Sequence, residues 1–204
     1  MNKGKLFIIS APSGAGKTSL IKKLIPHMDK LIVSVSHTTR AQRPGEIDTI
    51  DYFFTPVDTF KKMVNQQAFL EYAQVFDNFY GTAQSSIEQS LKSSKDVILE
   101  IDWQGAEQIR RILPDTISIF ILPPSTEVLR RRLKERGQDS EAIIDRRMQD
   151  AVNEIGHYAE YDYLIVNDEF NNALTEMKSI ILANRLNIQR QQEQLKDLLI
   201  DLLV

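Results

Sequence analysis

The segment L-F-I-I-S-A-P-S-G-A-G-K-T, Leu6 to Thr18, decides the fold of this chain. A short apolar strand runs into a turn with two glycines and then into a helix that begins near Thr18, which is the setting of a phosphate-binding loop. Gly14 and Gly16 allow the backbone to turn tightly, so that successive N–H groups point at the phosphates of a nucleoside triphosphate. Lys17 would neutralise the β- and γ-phosphates, and the Thr18 hydroxyl would join the shell of a Mg²⁺ ion.

One position departs from the general pattern G-x-x-x-x-G-K-[ST] of such loops. Ala11 stands where the pattern has its first glycine, and a small residue still fits there. An ordinary glycine turn before a helix is the alternative, but the strand in front and the Lys-Thr pair behind favour the phosphate-binding loop. The predicted contacts to the triphosphate are Ala11, Pro12, Ser13, Gly14, Ala15, Gly16, Lys17 and Thr18.

Composition limits the classes of function. The chain has 204 residues and a net charge of −3, which suits one compact α/β unit with inserted subdomains and argues against a protein that coats nucleic acid. It has no cysteine, which excludes disulfides, a thiolate nucleophile and a cysteine metal site. No apolar run approaches membrane-spanning length, and the L-F-I-I run near the start is too short for a signal-peptide core. We therefore expect a soluble, cytoplasmic protein with neither a membrane nor a nucleic-acid partner.

Apolar runs further along the chain predict a parallel sheet. Residues 96–102 and 116–122 are nearly continuous apolar runs, the pattern of strands that are covered on both faces. With residues 6–10, 31–36 and 163–166 they give five strand candidates. The predicted fold class is α/β, with a five-stranded parallel core sheet flanked by helices.

A small mixed α/β insertion is predicted after the second strand, at residues 36–85. The segment T-P-V-D at residues 55–58 is typical of a capping box with proline at the first helical position, and it predicts a helix to about Gln67. The strand candidates around this helix are too short to be stable alone.

Eight motifs follow one another along the chain: A-P-S-G-A-G-K-T, S-H-T-T-R-A-Q-R-P-G-E, D-Y-F-F, F-L-E-Y-A-Q, N-F-Y-G-T, E-I-D-W-Q-G, P-P-S and I-V-N-D. Together they resemble a guanylate kinase from near the start of the chain to at least Asp168. The resemblance implies transfer of the γ-phosphoryl group of ATP to GMP with Mg²⁺. It divides the single domain 1–204 into a nucleoside monophosphate kinase core at 1–35, 86–124 and 151–204, a GMP-binding insertion at 36–85 and a mobile helical lid at 125–150.

Recognition of the base follows from the chemistry of guanine. Guanine presents N1–H and N2–H₂ donors side by side, so a carboxylate suits guanine and repels adenine. By the resemblance, Glu71 and Asp102 accept from these donors and Ser36 meets O6, each two-pronged contact adding about 1–3 kcal/mol of base discrimination. Glu71 alone would be interpreted as a solvated carboxylate at a strand edge, but the neighbouring motifs favour binding. Glu100 stands where the family often has aspartate.

The phosphate of the acceptor nucleotide needs cations and hydroxyls. Arg40 and Arg43 offer planar guanidinium groups three residues apart in one loop, which suits a phosphate. Solubility is the commoner explanation for an isolated pair of surface arginines. The further contacts to GMP that the resemblance implies are Tyr52, Tyr80, Gly81 and Thr82.

The lid should deliver more cations. Arg136 and Arg147 match the lid arginines of the family, and with Lys17 and Arg43 they would carry the charge of the transition state. Arg130 to Arg132 are consecutive on a helix and cannot all face one site, so a solvated face is favoured for these three.

The end of the chain carries two further features. Asn167 and Asp168 match the adenine-side contacts of the family, although an Asn-Asp pair is otherwise a turn signal. The tail from Asn171 places leucines on helical stripes. Packing on the core explains the first part of this tail, and a partner helix, as in a homo-oligomer, is a use for the last part.

Two other functions stay open at this point. Guanylate-kinase-like domains of membrane-associated scaffolds bind peptides, but they characteristically lack a working phosphate-binding loop, whereas Gly14, Gly16, Lys17 and Thr18 are all present here. A related kinase for another nucleotide or a sugar phosphate would keep Lys17 without needing Ser36, Glu71 and Asp102 together. Fold alone does not decide between them.

Overall fold

The structure is a computed structural model that describes residues 3–75, 77–135 and 140–203. Within these ranges the strands are β1 (Leu6–Ser10), β2 (Leu31–Val33), β3 (His37–Thr38), β4 (Phe53–Phe54), β5 (Phe69–Val75), β6 (Asn78–Ala83), β7 (Asp96–Glu100), β8 (Ile117–Leu122) and β9 (Tyr163–Val166). The α-helices are α1 (Lys17–Leu24), α2 (Val57–Asn65), α3 (Gln84–Lys92), α4 (Trp103–Ile112), α5 (Thr126–Glu135), α6 (Glu141–Ile155), α7 (Phe170–Arg185), α8 (Ile188–Gln194) and α9 (Lys196–Leu202).

The central sheet of the described residues has five parallel strands in the order β2-β7-β1-β8-β9, which confirms the predicted fold class. β1 lies in the middle, where Ile8 pairs with Leu99 on one side and Ser118 on the other. Because the strands are parallel, the segments after β1 and β7 leave the same edge of the sheet. The phosphate-binding loop and the segment after Glu100 are therefore neighbours.

Helices cover both faces of this sheet. Successive side chains on a strand point to opposite faces, so Phe7 and Ile9 join a core cluster with Met177 of α7. Ile8 points the other way, into a cluster that includes Ile87 of α3. All five residues of β1 are buried, which is why this strand reads as a continuous apolar run in the sequence.

The segment between β2 and α3 carries a second sheet, with strand order β4-β3-β6-β5. Its core is aromatic. The ring of Phe60 on α2 stacks on Phe69 and Phe79, with centroid distances of 4.5 and 5.6 Å. Gly81 makes room for this stack, since a Cβ there would lie 3.0 Å from ring atoms of both Phe60 and Phe69.

The predicted capping box at the start of α2 is wrong. The helix begins at Val57 with Pro56 at the N-cap, and no side chain caps it. The Thr55 hydroxyl instead donates to the carbonyl of Phe53 at 3.0 Å and meets Nδ1 of His37 at 2.9 Å. Because Thr55 directly follows β4, its hydroxyl makes hydrogen bonds within the small sheet and does not cap α2.

Helices α5 and α6 pack against each other. Arg130 on α5 donates to Asp145 on α6 at 2.6 Å, and α6 continues to Ile155, past the predicted lid boundary at residue 150. Their shared apolar cluster consists of Leu129, Leu133, Ile144 and Ala151.

The C-terminal helices are anchored through one buried carboxylate. Asp96 at the start of β7 accepts from Arg185 Nε at 2.8 Å, from Arg190 Nη2 at 2.7 Å and from the Lys5 N–H at 2.9 Å. Beyond this anchor, α8 and α9 bury none of their own residues. In the described part of the chain, no helix is long and apolar enough to cross a membrane.

Candidate active site

The loop between β1 and α1 turns at two glycines in the left-handed conformation, Gly14 at φ 94° and Gly16 at φ 95°. A Cβ on Gly16 would lie 2.3 Å from Nδ2 of Asn167, and one on Gly14 would lie 2.9 Å from Leu129. Glycine is thus favoured by backbone conformation and by space at both positions. Because α1 begins at Lys17, the positive end of the helix dipole lies at this loop, where it favours an anion.

Asn167 supports the loop from behind. Its Nδ2 donates to the carbonyl of Ala15 at 2.7 Å, and its side chain is 3% exposed. Asn167 also lines a shallow depression on this side of the loop together with Gly14, Gly16 and Phe170, while Asp168 is exposed. The structure therefore gives Asn167 a supporting contact, and an adenine contact for Asn167 and Asp168 stays a prediction.

One of the three consecutive arginines on α5 does not lie on a solvated face. Arg132 Nη2 donates to the Asn167 carbonyl at 3.0 Å, so the expectation for this residue is wrong. Arg130 pairs with Asp145, and Arg131 is exposed. Successive helical residues point about 100° apart, so Arg132 can face the loop while Arg130 and Arg131 point in other directions.

Thr18 contacts an acidic residue of the neighbouring strand. Its hydroxyl donates to the carboxylate of Glu100, which ends β7. The sequence places Glu100 only as a departure from the family pattern. Its role becomes visible when β7 pairs directly with β1, because the carboxyl ends of both strands then lie side by side.

Glu71 of β5 is a buried carboxylate, 4% exposed. Burial raises the pKa of Glu71 to about 7, the charge of Asp102 adds to the rise, and hydrogen bonds from Thr82 oppose it. A Cβ on Gly105 would lie 2.5 Å from Oε2 of Glu71. The glycine of the W-Q-G motif therefore makes room for this carboxylate, a role that the sequence did not suggest.

Asp102 and Ser36 complete this side of the site. Asp102 caps α4, since its Oδ1 accepts from the Gly105 N–H at 3.0 Å. The Ser36 hydroxyl lies 3.3 Å from that of Thr82. Thr82 itself is fully buried, so it acts on the site through Glu71 and Ser36.

Arg40 is held by Glu46, a contact for which the sequence gives no signal. Its guanidinium group makes two hydrogen bonds to the Glu46 carboxylate, at 2.7 and 3.0 Å, and lies over the ring of Tyr52. Glu46 also accepts from the Arg43 N–H at 2.8 Å, so it shapes the loop that carries both arginines. The Arg43 side chain is exposed.

Two tyrosines lie beside this loop. The ring centroids of Tyr52 and Tyr80 are 6.1 Å apart in an edge-on arrangement. Burial raises the pKa of Tyr52 to about 12, and the charge of Glu100 adds to the rise, so its hydroxyl stays protonated and can donate. Of the predicted lid arginines, Arg147 lies on α6, and Arg136 lies outside the described residues.

One pocket joins the two halves of the site. The phosphate-binding loop lines one side of it through all its residues from Ala11 to Thr18 except Ala15, which is buried. The other predicted residues in the lining are Ser36, Tyr52, Glu71, Tyr80 and Asp102, joined by Glu100 and Glu154, which were not predicted. The predicted residues outside the lining are Arg40, Arg43, Gly81, Thr82, Arg147, Asn167 and Asp168.

A phosphate-binding loop on the middle strand of a helix-flanked parallel sheet, with a small second sheet closing the pocket, defines the class of nucleoside monophosphate kinase folds. The guanylate kinase family model matches residues 3–184. The chain belongs to the guanylate kinase family.

Individual guanylate kinases are similar to this chain over almost its whole length. A guanylate kinase of Methylococcus capsulatus is 56% identical over 203 residues, covering 100% of each chain. One of Saccharophagus degradans is 56% identical over 200 residues, covering 98% of each. The crystal structure of a guanylate kinase from Anaplasma phagocytophilum is similar with a TM-score of 0.79 at 32% identity, covering 97% of this chain and 96% of that one.

Proposed function

We propose that this chain is an ATP:GMP phosphotransferase, which transfers the γ-phosphoryl group of ATP to GMP and gives ADP and GDP. One observation carries the proposal: the phosphate-binding loop and the buried carboxylate of Glu71 line the same pocket. A scaffold domain would not need an intact loop, and a kinase for another acceptor would not need a buried carboxylate facing a base. Membership of the guanylate kinase family supports the same activity.

The donor side would bind ATP through the phosphate-binding loop. Lys17 would neutralise the β- and γ-phosphates, while the loop N–H groups donate hydrogen bonds to the phosphate oxygens. The Thr18 hydroxyl and the Glu100 carboxylate meet at the end of the pocket, and hard oxygen ligands of this kind suit Mg²⁺. When bound, the ion would neutralise charge that develops on the transferred group.

The acceptor side would hold GMP by both ends. Glu71 and Asp102 would accept from the N1–H and N2–H₂ donors of guanine, and Ser36 would meet O6. The phosphate would lie towards Tyr52 and Tyr80, whose hydroxyls donate. Arg40 is already aligned by Glu46, which reduces the entropy that GMP binding has to overcome.

The transfer itself would depend on position and charge. The GMP phosphate is already an anion and a nucleophile, so no general base is required. Arg43, Arg136 and Arg147 would add positive charge around the transferred group, as lid closure excludes water from it. Arg43 is exposed in this structure, so its loop would have to move inward to bring it to the transferred group.

An ADP-release assay with ATP and Mg²⁺ tests this function. GMP, dGMP, AMP, CMP and UMP are compared as acceptors. We expect strong release with GMP and little with AMP, CMP or UMP. Equal turnover of AMP would contradict base recognition by Glu71, and no release with any acceptor would favour the scaffold function.

The pKa of Glu71 predicts how GMP binding depends on pH. The free protein has a pKa of about 7 for this carboxyl, and only the ionised form accepts from both guanine donors. Affinity for GMP should therefore decrease as the pH falls from 8 to 6, and binding near pH 7 should release a proton. Isothermal titration calorimetry in two buffers of different ionisation enthalpy measures this proton. In Glu71→Gln we expect no proton release from residue 71 on GMP binding. Ionisation of the GMP phosphate contributes equally to the measured proton release in both proteins.

The same pKa has a consequence for the nucleotide-free fold. The pKa of Glu71 is raised from 4.5 to about 7 on folding, so the folded state binds this proton more tightly. The resulting stabilisation is present below pH 4.5 and is lost as the pH rises through about 7.

Two finer expectations belong to this proposal. Leu198, Leu199 and Leu202 on α9 are exposed, and we propose that they contact a second copy of the chain. Light scattering measures the mass, and a monomer at micromolar concentration would contradict this contact. A cytoplasmic location follows from the nucleotides that the reaction uses, and cell fractionation tests it.

A further inference from the structure

Glu154, near the end of α6, lines the active-site pocket beside Ser13 and Lys17. Its Oε2 is buried and has no hydrogen-bond partner among the described residues. Burial raises the pKa of Glu154 to about 7. The charge of Lys17 and the backbone N–H of Ser13 oppose this rise, whereas Asp102 and Asp150 add to it. The Glu154 carboxylate and the positive groups of the phosphate-binding loop therefore share one pocket.

These positive groups are the ones that a triphosphate requires. The N–H groups of the loop and the ammonium group of Lys17 would hold the β- and γ-phosphates. A carboxylate at the same place partly neutralises this positive potential and repels an incoming phosphate. The unpartnered Oε2 also shows that Glu154 is not held there by a complete set of hydrogen bonds.

The position of Glu154 on α6 connects the loop with the lid. Arg147, Asp150 and Glu154 are spaced i, i+3 and i+7, so they lie along one face of the helix. Asp150 also has a buried oxygen, Oδ2, without a hydrogen-bond partner in the described part of the chain. Arg147 and Glu154 are about 10 Å apart along the axis. A displacement of Glu154 that moves α6 as a rigid element therefore also moves Arg147.

We propose that Glu154 is an anionic placeholder in the phosphate-binding loop, and that the triphosphate of ATP displaces it, which moves α6 and repositions Arg147. This inference rests on the proposed function, because it requires that ATP binds at the loop. Glu154 acts here as a positioning residue, since it acts on the reaction through α6 and Arg147.

Calorimetric titration with ATP and Mg²⁺ at pH 8, in the absence of GMP, tests the placeholder directly, because a carboxyl group with a pKa of about 7 is largely ionised at that pH. Glu154→Gln removes the negative charge at nearly constant size, so we expect ATP to bind about tenfold more tightly, as expected for relief of a modest charge repulsion. Glu176→Gln, an exposed position on α7, is the matched control and should leave affinity unchanged. In turnover assays, Glu154→Gln should lower KM for ATP without raising kcat, because α6 is no longer driven by the triphosphate.

A spectroscopic readout follows the helix itself. Trp103 is the single tryptophan of the chain and stacks on His157, just beyond α6, with ring centroids 3.8 Å apart. ATP should change the emission of Trp103 in the wild-type protein by separating the two rings. The variant His157→Ala gives the emission of the unstacked Trp103 ring. In nucleotide-free Glu154→Gln, we expect the emission of Trp103 to be shifted towards that of the His157→Ala variant.

The outcomes separate the two proposals. Equal or weaker ATP binding by a folded Glu154→Gln protein would overturn the placeholder while leaving the kinase function intact, as would Trp103 emission that ATP does not alter. Failure of the wild-type protein to bind ATP would contradict both proposals. If Glu154→Gln does not fold, Glu154→Asp withdraws the charge by one methylene group and should bind ATP more tightly by a smaller factor. Unchanged affinity in Glu154→Asp would then overturn the placeholder.

Discussion

Replacing Lys17 by alanine should reduce the turnover of GMP about a thousandfold, the effect of removing a principal group that stabilises transition-state charge. Lys17 is the first residue of α1 and lines the pocket beside Thr18. Alanine favours a helix at least as well as lysine does, so α1 should persist. The loss should therefore come from charge that is no longer neutralised on the transferred phosphoryl group. The measurement is the rate of ADP release with saturating ATP and GMP.

Lys23→Ala is the matched control for this variant. Lys23 lies on the same helix and is exposed, so its turnover should stay close to that of the wild-type protein. Circular dichroism melts of both variants check that α1 and the sheet remain folded. If Lys17→Ala keeps more than a tenth of the wild-type turnover, the loop is not where the transferred phosphate binds.

The second large effect is expected at Glu71. Glutamine has nearly the same size but presents an amide N–H₂ to guanine, whose facing edge already consists of donors. We expect kcat/KM for GMP to fall about 100-fold in Glu71→Gln, corresponding to ~2.8 kcal/mol. Affinity for ATP should stay within about twofold, because the predicted contacts to ATP lie at the phosphate-binding loop, on the other side of the pocket from Glu71. Steady-state kinetics with GMP and calorimetry with ATP measure the two quantities.

Two controls make this result specific. Glu88→Gln changes an exposed carboxylate on α3 and should leave kcat/KM for GMP unchanged. Parallel assays with AMP show whether base preference is lost along with activity, since the ratio of GMP to AMP turnover should decrease in Glu71→Gln. An unchanged kcat/KM for GMP would exclude the proposed role of Glu71.

Much of the fold and the loop could be predicted from the sequence because their signals are local. Leu6 to Ser10 form a buried strand, and the glycines at 14 and 16 sit at left-handed positions. The parallel sheet follows from apolar runs that have to be covered on both faces. Glu71 and Asp102 emerged from motifs that resemble a family, since an isolated carboxylate carries no such information.

The tertiary structure decided the contacts between residues that are distant in sequence. Only the folded chain shows that Gly105 makes room for Glu71, that Asn167 supports Ala15 and that Glu154 lies at the phosphate-binding loop. Each of these contacts depends on how helices and strands pack, and packing is set by the whole chain. Periodicity and motif spacing record only which face a residue occupies on its own element. The sequence by itself therefore determined the class of fold and the phosphate-binding loop, and the tertiary structure determined which further side chains meet that loop in the pocket and which ones hold them in place.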